Sequence, residues 1–568
     1  MPVDPIYPGV YVEELPSGVR TITGVATSIT AFIGRALRGP IDEPITINNY
    51  GDFERAFGGL WRNSSLGYAV QDFYLNGGEQ AIVVRLFHQE QKTKLDDDGK
   101  PVVEKDPNGG PILVPATATL EASGPAIDAD SEATPPVVAV KKGSLTLAAA
   151  SPGSWGNHLR ARVEYASISG LGERYGLADS DLFNLIVRDT RTGVTETFQN
   201  VSVVDSARRV DEVLESESML VRFDGTLPET RPTPHKPPEP GKSIWEDSAA
   251  EEGEASSSKV KTAVADGVAI DQSDFTGEGT AAAKKGLYAL EKVDLFNLLC
   301  IPPYKGDDVD SDLMTKSAVY CEKRRAMLLV DAPSSWTKVA DARDGVGDVG
   351  TNSKNAAVFF PRLRKPDPLR ENQIGTFVPC GAIAGIMART DAQQGVWKAP
   401  AGLDATISGV TAFSVPLTDD ENDQLNPLGI NCLRAFPTAG LVVWGARTLQ
   451  GNDQLASEGK YIPVRRLALF LEESLYRGTQ WVVFEPNDES LWAQIRLNIG
   501  AFMNNLFQQG ALQGSSPKEA YFVKCDKETT TQNDINQGIV NIVVGYAPLK
   551  PAEFVILKFQ KIVGEIAT

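Results

Sequence analysis

Short apolar runs alternate with helix-like stretches at two separate places in the chain, and this alternation restricts the fold more than any other feature. Inside residues 21–87, VATSITAFIG reads as a strand, YGDFERAFGG and SLGYAVQDFYLNGG as helices, and QAIVVRLF as a buried strand. After a long interruption the pattern resumes, with VDLFNLLCIPP a buried strand, SAVYCEKRR a helix, and AMLLVDAP and AAVFFPRL strands. Strand and helix in such succession predict an open α/β sheet. The interruption is compositional. From His88 onward, DDDGKPVVEKDPNGGP, DADSEATPP and RPTPHKPPEPGKSIWEDSAAEEGEASSSK carry too little apolar surface to offset the entropy of ordering them, so we expect surface loops there, some of them disordered. LRARVEY and LFNLIVRD lie between the tracts and read as strands, which makes 88–285 an inserted, β-rich outer domain.

Further along, Pro463 opens VRRLALFLEESLYRG, a helix with Leu467, Phe470, Leu471, Ser474 and Leu475 on one face and Gly478 as its stop. WVVFEP reads as a strand. Asn487 then caps a second helix whose apolar stripe is Ile495, Ile499, Phe502 and Leu506, ended by Gly510. A chain of 568 residues exceeds one hydrophobic core. The expected division is an N-terminal arm (1–20), the first part of the α/β core (21–87), the inserted domain (88–285), the core continued (286–425), a C-terminal domain (426–547) and a C-terminal strand arm (548–568).

The two arms pose a burial problem. In PAEFVILKF, Phe554, Val555, Ile556 and Leu557 are consecutive, so a strand here shows apolar side chains on both faces and needs cover on both. Phe559 extends the run. At the other end YPGVYVEELPSG places Tyr7, Val10, Tyr11 and Val12 in a short β-rich stretch between a Pro-Gly turn and Pro16. Pro548–Pro551 and Pro16–Gly18 read as flexible joints behind these strands.

Little in the sequence supports catalysis. GVGDVG (345–350) matches a dinucleotide fingerprint by letter but follows VADARD, where the motif needs an apolar strand, and no helix opens behind it. PGKS (240–243) ends like a phosphate loop, but Lys236 stands where that motif has glycine. His88, His158 and His235 are each isolated, which leaves no zinc-ligand spacing; as bases for a serine nucleophile His88 and His235 border low-complexity tracts, and no GxSxG elbow is present. His158 is expected to face solvent beside a strand. No cofactor or metal is expected. Cys300, Cys321, Cys380, Cys432 and Cys525 are scattered in apolar runs and read as reduced core residues. A net charge of −19 opposes coating nucleic acid, which needs a basic stripe. There is no apolar run of bilayer length and no signal-peptide pattern at the start, so direct membrane insertion is not expected and synthesis in a cytosol is.

Several stretches, in order, resemble the tail sheath family of contractile phage tails and bacterial contractile injection systems: YPGVYVEE, SPGSWGNHLRARV, ARTDAQQGVWKAPAG, NPLGINCLRAFPTAGLVVWGARTL, RRLALFLEESLYRGTQWVVFEPNDESLWAQIR and CDKETTTQNDINQGIVNIVVGYAPLKPAEFVILKF. The resemblance covers about 1–85 and 290–568 plus the WGN stretch. It implies a subtilisin-like α/β core without catalytic residues, and a structural subunit that stacks in rings, or winds helically, around an inner tube and contracts. Terminal arms adding strands to neighbouring subunits are also implied. The partners implied are further copies of the chain, an inner tube protein, and baseplate and terminal cap proteins, in a phage tail or tail-like particle assembled in the bacterial cytoplasm. On the C-terminal helix and the CDKETTTQND loop, Arg496, Lys524 and Lys527 are candidate contacts to tube carboxylates. The alternatives are a subtilisin-like hydrolase, which needs a convergent nucleophile and base, and a non-contractile filament or shell protein.

Overall fold

The computed structural model describes residues 20–95, 101–106, 111–124, 143–165, 170–246, 256–261, 263–454 and 457–558. Its centre is an eight-stranded sheet. The strands are β1 (Thr30–Arg35), β2 (Ile45–Ile47), β3 (Ala81–Leu86), β4 (Leu298–Cys300), β5 (Met327–Asp331), β6 (Ala356–Phe360), β7 (Ile430–Phe436) and β8 (Gly440–Val443), in the order β2-β3-β1-β4-β5-β6-β7-β8. β3 through β7 in that order are parallel, with Thr30 opposite both Ala81 and Leu298, while β2 and β8 add antiparallel edges. AIVVRL and AAVFF are buried at every position because helices cover both sheet faces. One face packs against Leu313, Met314 and Cys321 of the helix Ser311–Lys323. The other packs against Phe53 and Phe57, Val70 and Phe73, and Ile383 and Ile386 from three helices. All five cysteines are buried and free.

Between β3 and β4 the chain leaves this sheet and builds a small antiparallel pair, Thr93–Leu95 with Pro101–Val103, and two larger antiparallel sheets. Thr195–Ser202, Leu182–Asp189, Leu159–Glu164 and Ser258–Lys259 form the first; Val221–Phe223, Leu145–Ala149 and Thr119–Ala122 form the second. They share one hydrophobic cluster around the buried Trp155 of SWGNH. Arg85, fully buried on β3, ties this part to the core by donating to Ala36 O (3.0 Å), Gly39 O (2.6 Å) and Pro152 O (2.7 Å). Burial without a carboxylate in contact pushes its pKa down to about 10.

The proline-rich tract does not behave as its composition implies. Pro232, Thr233 and His235 are buried. The Thr233 hydroxyl donates to Gly124 O (2.7 Å), and His235 pairs with Val163 through its backbone N–H (3.0 Å to Val163 O) and through Nδ1, which accepts the Val163 N–H (3.0 Å). Backbone groups of the outer sheet thus find partners in the tract, and the tract orders on them.

The C-terminal part packs the helices Ile462–Gly478 and Glu489–Gln508 and a two-stranded sheet, β9 (Tyr521–Lys524) with β10 (Val543–Tyr546), around Leu467, Leu471, Trp492, Ile499 and Met503. Arg466 and Asp391 form a buried, doubly bonded pair (2.8 and 2.5 Å) that joins this part to the core helix Cys380–Gln394. Three expectations fail here. WVVFEP is not a strand: Gln480–Val482 is a short 3-10 turn, Val483 and Phe484 are exposed, and Trp481 lies under the Arg20 guanidinium at 4.4 Å. Asp488, and not Asn487, caps the second helix, accepting the Leu491 N–H at 2.9 Å, while Asn487 Oδ1 accepts the Trp492 indole N–H. Gly478 is still helical. Its small size is needed because a Cβ there would lie 2.6 Å from Ile22 Cγ2 of the incoming N-terminal segment. Gly510 does end its helix, at φ +77°.

Candidate assembly surface at the root of the C-terminal arm

The chain emerges from β10 fixed to the body. Ala547 accepts the Gln513 N–H and donates to Ala520 O, both at 2.8 Å, and Pro548 pairs with Leu512. Residues 549–554 then line a groove of about 800 Å3 together with Trp397, Trp444, Asp419 and Arg434. At the far end the Glu553 carboxylate is clasped. Arg447 donates from Nε to Oε1 (2.6 Å) and from Nη2 to Oε2 (2.7 Å), Asn426 Nδ2 donates to Oε1 (3.0 Å) and Tyr461 OH to Oε2 (3.0 Å). Arg447 is 1% exposed and also donates to Asn426 O, Gly451 O and Asp453. Bidentate, charge-assisted geometry of this kind is the strong form of ion pair. The hydrogen bonds from Arg447 and Asn426 hold Glu553 below the usual carboxylate range against the opposing effect of burial. Pro548–Pro551 is therefore tied at both ends and is not the flexible joint expected.

One residue later everything changes. Phe554, Val555, Ile556 and Leu557 are 72, 79, 79 and 73% exposed and belong to no strand. Four consecutive large apolar side chains in water are an interaction surface. Tyr7, Val10, Tyr11, Val12 and Phe559, and the Pro16–Gly18 joint, lie outside the described residues. Of the candidate tube contacts, Arg496 pairs with Glu489 (2.8 Å) and donates to the Cys525 carbonyl, and Lys524 and Lys527 are exposed at and just beyond the end of β9. Glu553, Arg447, Asn426 and Tyr461 were not picked out from the sequence. Arg447 and Glu553 are 106 positions apart, and the only local signal is a lone carboxylate heading an apolar run.

Among the described residues, the titratable clusters elsewhere are engaged in structural contacts. His235 Nε2 meets Ser258 Oγ at 3.0 Å, which looks like a nucleophile and its base. Nδ1, however, accepts the Val163 N–H, so the neutral ring carries its proton on Nε2 and donates to the serine. Desolvation and the nearby Arg162 push its pKa down to about 4. His88, expected to be isolated, instead meets Asp274 at 3.0 Å with Asp271 close by, a grouping compatible with a cation. Its carboxylates are occupied in capping the turn at 272–276: Asp271 accepts the Ser273 N–H and Asp274 the Asp271 N–H. His158 is exposed at the start of Leu159–Glu164, as expected. At the carboxyl end of β5, where open α/β sheets commonly bind ligands, Asp331 Oδ1 accepts the Cys380 N–H (2.9 Å), the first of its helix, and Oδ2 has no partner. Burial pushes this carboxyl up to about 6. The neighbouring Arg362 is bound by Ala332 O, Asp307 O and Asp308.

A folded α/β body with an anchored, uncovered apolar tail presents the chemistry of protein–protein contact. The comparisons with known proteins agree. Residues 276–449 match the phage tail sheath protein central domain and 457–561 the phage tail sheath C-terminal domain. The tail sheath protein of Vibrio phage KVP40 is 31% identical over 192 residues, 33% of this chain and 27% of that protein. A putative prophage major tail sheath protein of Pseudomonas aeruginosa is 27% identical over 287 residues, 49% of this chain and 69% of that one. The matched stretch thus spans about a quarter of the Vibrio phage protein and about two thirds of the Pseudomonas one. The fold is similar to the sheath of the extracellular contractile injection system PVC in its contracted state, with TM-score 0.54, 20% identity and 99% of both chains covered. It is also similar to the contracted helical sheath of the anti-feeding prophage, with TM-score 0.53, 22% identity, and 98% and 100% covered. The chain belongs to the contractile tail sheath family.

Proposed function

We propose that the chain is the subunit of a contractile sheath, non-enzymatic and built to polymerise around an inner tube, with a subtilisin-like α/β core and residues 88–285 as its outer, variable part. The observation that carries this reading is the exposed run Phe554–Leu557 leaving a fixed Glu553. Its natural acceptor is the sheet β9/β10 of a second copy. Two strands alone are marginal in water, and Phe522 and Val543 are exposed on them. Strand addition supplies backbone hydrogen bonds for affinity and side-chain pockets for register. Each apolar side chain so buried contributes about 1.5–3 kcal/mol before ordering costs.

A head-to-tail contact of this type repeats into rings or a helix. Contraction then needs no fuel in the subunit, because bodies tethered by arms repack into a lower-energy arrangement. The charge of −19 opposes close packing of bodies, and salt screens that repulsion over roughly 8 Å at physiological ionic strength. Lys524 and Lys527 are proposed tube contacts. Baseplate and cap proteins are the proposed partners at the two ends, within a phage tail or tail-like particle assembled in the bacterial cytoplasm. Among the described residues no helix is long and apolar enough to cross a membrane.

Electron microscopy of the native assembly before and after a mild denaturant or salt challenge tests the reading. Tubes that shorten and widen around an unchanged inner tube are expected. Filaments of fixed length without an inner tube would mean a non-contractile assembly, and folded monomers alone, with partners present, would mean that the reading is wrong.

A further inference from the structure

We propose that the Glu553 clasp is the fixed anchor of the C-terminal arm, the point at which the hold of a neighbouring copy on Phe554–Leu557 is passed into the core sheet. The inference rests on the reading that the arm engages another copy and adds where that force enters the body. Glu553 is the last residue of the chain with a bonded side chain before the exposed run, and it meets four donors. Behind the clasp the connections run inward without a gap. The Arg447 N–H donates to Asn431 Oδ1 (2.7 Å), and Asn431 on β7 donates from Nδ2 to Arg447 O (2.7 Å) and to Val358 O of β6 (3.0 Å). Tyr461, the fourth donor, immediately precedes the helix Ile462–Gly478.

A pull on the arm therefore reaches two parallel strands of the core sheet and the main C-terminal helix through short polar contacts that are half-buried at Glu553 and fully buried at Arg447 and Asn431. An exposed ion pair could not do this, because solvent competes for both partners. Around a guanidinium as buried as that of Arg447, loss of the carboxylate charge leaves the site underbonded. Residues 549–554 line the groove, so release of Glu553 frees the segment that borders it.

Glu553→Gln removes the charge and keeps the shape. Chymotrypsin provides the readout on the isolated subunit: it should cut after Phe554 and Leu557 in both proteins, but after Leu549 roughly tenfold or more faster in the variant, as the loss of charge-assisted hydrogen bonds predicts. Because Arg447 keeps Asp453 and the Asn426 and Gly451 carbonyls, the melting temperature of the body should fall far less than the hold on the arm, which separates an anchor from an ordinary stabilising pair. Assembled sheaths of the variant should fall apart at lower denaturant. Tyr461→Phe, which removes one donor of four, should move the same readouts in the same direction by less, and it keeps the test open if Glu553→Gln folds poorly. Unchanged cleavage after Leu549, or faster cleavage with sheaths as robust as wild type, overturns the anchor. Ile556→Asp run beside it separates the two claims. If Ile556→Asp still assembles, the arm reading fails and the anchor with it; if it blocks assembly while Glu553→Gln changes nothing, only the anchor fails.

Discussion

Two segments of this chain reverse the usual relation between composition and burial. The tract around Thr233 and His235 is proline-rich and polar, yet it lies buried against the outer sheets; the run Phe554–Leu557 is wholly apolar, yet it stands in water. The difference lies in where each backbone finds its partners. Thr233 and His235 meet Gly124 and Val163 within the same chain, whereas the apolar run has no strand to join. Apolar content says that a segment needs cover, and not that its own chain supplies it.

The largest effect is expected at the arm. Ile556→Asp should abolish polymerisation, measured by sedimentation, with no change in monomer melting, because Ile556 is exposed in the monomer. A melting point that falls with assembly intact would place the run in an intrachain role and break the comparison.

Next comes the proline-rich tract. Its histidine is held neutral with a pKa of about 4, below the unfolded value of 6.5. A group depressed in this way contributes stability that is fully present above pH 6.5 and is lost as pH falls towards 4. The size is about 3 kcal/mol, from about 2.5 pKa units at 1.36 kcal/mol each. His235→Ala should remove the acid sensitivity and cost about 1–3 kcal/mol at pH 8 by leaving the Val163 N–H unpaired. Denaturant melts at pH 8 and pH 5 measure both.

A smaller effect sharpens the comparison at the edge of the core, where Asp331 is half-buried with its enclosed Oδ2 unmet. Its folded pKa of about 6 lies above 3.8, so its ionised form opposes folding at neutral pH and stability recovers as pH falls through 6. Asp331→Asn should stabilise the protein by about 1–2 kcal/mol at pH 8, less than the full linkage value because the new amide also needs a partner. The smallest effect is at Phe484, fully exposed with φ +72°. Phe484→Gly should raise monomer stability by about 1 kcal/mol by removing that strain.

Legibility followed the same division. Strands such as Ala81–Leu86 and Ala356–Phe360, and the helices beside them, could be read because local periodicity and burial agree there. WVVFEP misled because β-propensity says nothing about whether an edge is available. The proline-rich tract misled because its partners, Gly124 and Val163, are 109 and 72 residues from Thr233 and His235. At the assembly surface the apolar run was visible, but its anchor was not: no spacing rule joins Glu553 to Arg447, Asn426 and Tyr461, which only the fold brings together.

The most direct test is a cryo-electron microscopy map of the assembled sheath in which residues 551–558 can be traced. The account predicts Phe554–Leu557 as a strand paired with β9 or β10 of a different subunit, with Glu553 still on its own Arg447. A run folded back onto its own chain, or left unpaired in the assembly, would contradict it.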